Sequence, residues 1–78
     1  MKLIVKYFGM IAEWIGAHEN EIHFSGSTVA DLRSQLEASC SELNGISYQV
    51  AVNHKISAND IVLNESDELA ILPPFAGG

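Results

Sequence analysis

At 78 residues the chain is one small domain with a thin core, since folding at this size buries only a little over about 60% of the unfolded surface. An apolar content of 47% with 18% charged residues is that of a soluble globular protein, and no run approaches the roughly 18 apolar residues that a membrane span needs. The net charge of −6 sets ten acidic residues against Lys2, Lys6, Arg33 and Lys55, which disfavours nucleic acid as a direct partner and would steer a basic protein inward, although such a charge equally serves solubility.

Met1-Lys2-Leu3-Ile4-Val5-Lys6 has the outline of a signal peptide, but Lys6 interrupts it, Glu13 follows and no small-residue cleavage site appears. The expected location is therefore the cytoplasm. Leu3 to Phe8 is rich in β-branched and aromatic residues and predicts a strand. Leu3, Val5 and Tyr7 share one face, while Lys2, Ile4, Lys6 and Phe8 share a wetter one. Between Gly9 and Gly16, Ile11, Trp14 and Ile15 recur at helical spacing and predict a short helix. Glu21-Ile22-His23-Phe24 alternates as a second strand, and Ser25-Gly26-Ser27 is a turn.

Thr28 opens the clearest helix, with Asp31 three residues on in a weaker form of the capping box. Val29, Leu32, Leu36 and Cys40 fall on its apolar face, and Asn44-Gly45 is the expected end. Gln49 to Val52 is a third strand, Asn53-His54 a turn, and Lys55-Ile56-Ser57 a short returning strand. Ile61-Val62-Leu63 is a brief apolar segment. Asn64 to Asp67 is a turn, and Glu68 to Leu72 is the final strand. The order predicts an α+β domain with one main helix on a mixed sheet.

The interior offers little chemistry. Cys40 is the sole cysteine, so no intrachain disulfide forms, and its place on an apolar helix face marks buried filler rather than a nucleophile. His18, His23 and His54 lack metal-ligand spacing. No phosphate-binding loop, dinucleotide fingerprint or nucleophile elbow is present.

The functional weight falls on the ending Leu69-Ala70-Ile71-Leu72-Pro73-Pro74-Phe75-Ala76-Gly77-Gly78. A Pro-Pro pair cannot continue a central strand, so an uncharged arm leaves the sheet. Its six residues reach at most about 20 Å. Glycine at the end lets the arm pass through a narrow channel and present an unhindered carboxylate.

This ending resembles that of the small, sulfur-carrier subunit of molybdopterin synthase. Val5-Lys6-Tyr7-Phe8-Gly9 with its short Glu13-containing helix, Thr28-Val29-Ala30-Asp31-Leu32-Arg33 and Val50-Ala51-Val52-Asn53 extend the resemblance along the whole chain. Ala12 stands where that family often has arginine, and Ser66 where it usually has glycine.

The resemblance implies a β-grasp, ubiquitin-like fold over residues 1–72, with a mixed sheet, one main helix and one short helix, and a flexible tail over 73–78. It implies that an E1-like adenylyltransferase uses ATP and magnesium to adenylate Gly78. A sulfur donor protein then forms the thiocarboxylate. Gly77, Ala76, Phe75, Pro74 and Pro73 thread the large synthase subunit, where Gly78 gives sulfur to cyclic pyranopterin monophosphate. The catalytic groups belong to the partners of a heterotetramer, and the chain itself binds no cofactor or metal. Phe8, Ile56 and Leu72 are the expected docking residues if the sheet gathers them. Other readings are a carrier for thiazole, thiolated tRNA or cysteine, a ubiquitin-like protein modifier, and a bare interaction domain.

Overall fold

The structure is a computed structural model and describes residues 1–74. Five strands form one sheet: β1 (Lys2–Tyr7), β2 (Glu19–His23), β3 (Gln49–Val52), β4 (Lys55–Ile56) and β5 (Glu68–Leu72), in the spatial order β2-β1-β5-β3-β4. The central pair β1 and β5 runs parallel, and every other pairing is antiparallel. Helix α1 (Gly9–Ile15) lies in the β1–β2 connection, and α2 (Val29–Ser39) in the β2–β3 connection. This is the expected α+β, β-grasp architecture.

The strand periodicity decides which face is covered. Leu3, Val5 and Tyr7 of β1, Val50 and Val52 of β3, and Leu69 and Ile71 of β5 all point into one core with Val29, Leu32 and Leu36 of α2. Ile4 and Phe8 stay on the open face, as the lysine pattern of β1 predicts; they are 41% and 45% exposed. The covered face needs apolar residues at every second position of three strands, which is why the alternation in β1 and β5 is so clean.

Helix α2 begins as expected. The Thr28 hydroxyl accepts from the Asp31 amide at 3.3 Å, and Asp31 Oδ2 accepts from the Thr28 amide at 3.0 Å. The Val29 and Ala30 amides, which the helix itself leaves unpaired, donate to the carbonyls of Ile61 and Asn59. The segment after β4 is thus strapped across the helix start, and Val62 bridges Thr28. Only Leu63 of the Ile61-Val62-Leu63 run is buried; Ile61 and Val62 serve through their backbone.

Several expected boundaries move. Helix α2 ends at Ser39 rather than at Asn44-Gly45, because Cys40 takes extended dihedrals and a 3₁₀ turn over Ser41–Gly45 follows. That turn tucks Leu43 into the core. Strand β2 starts two residues earlier than expected, and Phe24 lies just past it as one of the most buried side chains. In α1 the fully buried pair is Ile11 and Ala12, with Trp14 and Ile15 half-buried.

The two-residue turn between β3 and β4 holds Asn53 at φ 52° and His54 at φ 70°, the twist that a tight hairpin requires. Asn53 also fastens the start of β5: its Oδ1 accepts from the Glu68 amide and its Nδ2 donates to Asp67, each at 2.9 Å. No helix among the described residues is long and apolar enough to cross a membrane.

Candidate functional site: the open sheet face at the root of the tail

The register of the sheet places the three expected docking residues. Lys6, Ala70, Ala51 and Ile56 form one row across β1, β5, β3 and β4. One step further along, Leu72 pairs with Gln49, and the Phe8 amide donates to the Ile71 carbonyl at 3.3 Å. Phe8 and Leu72 therefore stand side by side at the end of the central parallel pair. Ile56, 56% exposed, sits two strands away from β5 on the same face. The small side chains of Ala70 and Ala51 lie between Ile56 and Leu72, and the exposed Gln49 stands beside Leu72 on the same face.

The opposite end of this face is charged. Glu68 Oε2 lies 3.6 Å from Lys6 Nζ and 3.3 Å from His54 Nε2. These are exposed pairs of small energetic value. The Lys6 ammonium balances Glu68, so the carboxylate does not stand alone there. The expected cluster of Phe8, Ile56 and Leu72 is thus gathered on one exposed face, with Ile56 at its edge.

Gly9, which the sequence gives only as a helix boundary, lies against the root of the tail. Gly9 has φ +57°, and a Cβ built there would lie 3.0 Å from Pro73 Cγ. Pro73 packs over the first turn of α1, close to Phe8. A glycine directly after an exposed aromatic, at the junction of strand and helix, was the available signal. Pro73 is half-buried and Pro74 exposed. The expected carrier residues Phe75, Ala76, Gly77 and Gly78 lie outside the described residues.

Cys40 is 8% exposed, and its thiol donates to Glu42 Oε1 at 3.6 Å. Burial, reinforced by the Glu42 carboxylate, raises its pKa. A thiol held protonated is a poor nucleophile, in line with the structural role. Ala12, at the position where the resembled family often has arginine, is buried at 6% exposure and contributes no charge to the open face.

A family model described as the ThiS family matches residues 5–78. The chain belongs to the ThiS family. This makes it a ubiquitin-like sulfur carrier or small modifier. Among curated proteins none matches in sequence.

Among solved structures, a candidate molybdopterin converting factor, subunit 1, from Pyrococcus furiosus superposes with a TM-score of 0.86 at 24% identity, covering 96% of this chain and 99% of that one. Small archaeal modifier protein 1 from Methanosarcina acetivorans gives 0.81 at 26% identity, with 99% and 96% covered. A complex of subunits 1 and 2 of molybdopterin-converting factor from Helicobacter pylori contains a chain matching at 0.69 and 26% identity, with both chains fully covered. A molybdopterin-converting-factor subunit and a small archaeal modifier protein thus share the fold of this chain.

Proposed function

We propose that this ThiS-family chain carries sulfur for molybdopterin synthesis. An E1-like enzyme joins the Gly78 carboxylate to AMP from ATP with magnesium. A sulfur donor displaces AMP and leaves a thiocarboxylate. The tail then enters the large synthase subunit and delivers sulfur to cyclic pyranopterin monophosphate. Adenylation supplies the leaving group that a bare carboxylate lacks, and covalent carriage splits one hard transfer into easier steps.

The observation that carries the reading is the open sheet face at the point where the chain leaves β5, where the exposed Phe8 stands beside the half-buried Leu72 and the exposed Ile56 lies two strands away. A partner seated there would hold the tail root against its own surface. No charged residue follows Glu68 in the sequence, so the arm can be buried without stranding a side-chain charge. The Helicobacter pylori complex of the two converting-factor subunits supports a large-subunit partner.

The likeness to small archaeal modifier protein 1 favours a second reading, in which Gly78 is joined to lysines of other proteins. One experiment separates them. The chain is expressed with its activating enzyme, and intact mass is measured beside an immunoblot of the lysate. A mass gain equal to exchange of one oxygen for sulfur, lost when Gly78 is deleted, is expected. A ladder of covalent conjugates without thiocarboxylate would refute the carrier reading in favour of the modifier.

A further inference from the structure

The sheet has a second open feature, the edge far from Ile56. Strand β2 is an outer strand, and among the described residues no strand pairs with its free side. Its bonds to the first strand fix which groups face outward. The Phe24 amide donates to the Met1 carbonyl, the N-terminal ammonium donates to the Phe24 carbonyl, and the Tyr7 amide donates to the His18 carbonyl. Bonded pairs alternate along an antiparallel ladder. The main-chain groups of His18, Asn20, Ile22 and Phe24 therefore point inward, and those of Glu19, Glu21 and His23 point to the open edge.

One end of that edge is already taken by a peptide-like group. The Gln35 side-chain amide donates from Nε2 to the His23 carbonyl at 2.7 Å, and its Oε1 accepts from the Ser25 amide at 3.5 Å. A carboxamide from α2 thus makes the pair of bonds that a neighbouring strand would make. Beyond it, between β2 and α2, a cleft of about 270 Å³ is lined by Trp14, Ile15, Ile22, Leu36, Cys40 and Glu42. It lies on the core side of the strand, has room for side chains of modest size, and is lined as well by the polar Tyr7, Asn20 and Ser39. On the other side of the strand stand the carboxylates of Glu19 and Glu21. Lys6 lies opposite Glu19, whereas Glu21 faces the apolar Ile4.

We infer that the β2 edge and the adjoining β2–α2 cleft receive an extended segment of a partner protein in which apolar and basic residues alternate. The segment adds a sixth strand. Its apolar side chains enter the cleft, and its lysines or arginines face Glu19 and Glu21. A second copy of this chain fits poorly, because antiparallel self-pairing centred on Glu21 sets Glu21 against Glu21, and like charges opposed across strands repel. The edge is separated by three strands from the one that carries Ile56, so both surfaces can be occupied together.

The test uses the full chain, isotope-labelled, with the probe peptide acetyl-Lys-Val-Lys-Val-Lys-Val-Lys-amide. Nuclear magnetic resonance should show shifts along β2, α2 and α1, with slowed hydrogen exchange at the Glu19 and Glu21 amides. Glu21→Lys should weaken binding roughly threefold to tenfold, the scale of a cross-strand charge pair reversed. Gln35→Ala should extend the protection to the Ser25 amide. Equal binding of the glutamate-for-lysine peptide, shifts confined to the Ile56 face, or no shift at millimolar peptide would overturn the proposal. So would protection of the β2 amides in a dimer formed without peptide, which would assign the edge to a second copy.

Discussion

Replacing Gly9 and Gly16 separately by alanine isolates the contact that holds the tail root. Both glycines have positive φ, +57° and +84°. An L-residue forced into that region costs about 1–2 kcal/mol. The two sites differ in surroundings. A Cβ at Gly16 meets nothing within 4 Å, whereas at Gly9 it meets Pro73 Cγ at 3.0 Å. At that distance the proline ring must give way by a few tenths of an ångström. Both variants should therefore lose similar stability, about 1–2 kcal/mol of a total near 4–12 kcal/mol, which lowers Tm by roughly 4–16 °C. Urea unfolding followed by Trp14 fluorescence measures this. Only Gly9→Ala displaces the root of the tail, so only it should also slow thiocarboxylate formation and sulfur delivery, with affinity for the large subunit kept. Both assays are run where each variant is fully folded. Equal tail chemistry in the two variants would refute the argument that Gly9 sets the exit of the tail.

Gly26→Ala should be more damaging than its exposure implies, because the added Cβ lies 2.3 Å from Asp31 Cβ and must dislodge it; a loss of about 1–3 kcal/mol in urea unfolding is expected. Cys40→Ala should leave sulfur transfer intact and cost about 1–2 kcal/mol of stability; complete loss of transfer in the folded variant would show that the sulfur-bearing atom is elsewhere. Asp31 has a lowered pKa, chiefly because the backbone amides of Ser27 and Thr28 donate to it. A depressed carboxyl stabilises the fold above its unfolded pKa of about 3.9, and that contribution is lost as pH falls through the lower folded value. Asp31→Asn should therefore flatten the stability profile between pH 5 and the acid limit, which urea titrations across that range would reveal. Phe8→Asp should weaken large-subunit binding about thirtyfold by calorimetry while circular dichroism stays native, since a buried apolar anchor is commonly worth about 2 kcal/mol.

The sequence made the strands legible wherever one face is buried and the other wet. In β1 and β5 the alternation names the inward residues, and the structure buries each of them. The start of α2 was equally clear, because the Thr28–Asp31 box is a local hydrogen-bonding unit. Its end was not. Cys40 and Leu43 carry the apolar pattern past Ser39, and both are buried, but in an extended cap and a 3₁₀ turn rather than in a continuing helix. Hydrophobic spacing reports burial, and the chain can satisfy it with more than one backbone path. The role of the segment Asn59 to Val62 was illegible for a related reason. Its main contribution is the carbonyls of Asn59 and Ile61 on the α2 amides, and backbone groups leave no trace in side-chain type. Gly9 and Gly26 were visible as residues, but each is constrained by a side chain distant in sequence or packed on it, Pro73 and Asp31.

The topology explains why a carrier without catalytic groups benefits from being a folded domain. Strand β5 lies between β1 and β3 and is paired along both edges, so Ile71 is held by two ladders and Leu72, the last residue before the tail, by the β3 ladder. Leu69 and Ile71 anchor the same strand to the core at 0% exposure. Whatever grips Phe8, Leu72 and Ile56 therefore receives a tail whose origin is fixed. Six residues from Pro73 reach at most about 20 Å, and a Pro-Pro start removes much of the entropy that a freer linker would lose on threading. A partner that recognises the open face has already specified where Gly78 can arrive. If the root were loosened, as Gly9→Ala should do, affinity for the face would remain while delivery of the terminus slowed. That separation of docking from delivery is what the carrier reading requires, and a partner that merely bound the domain would not show it.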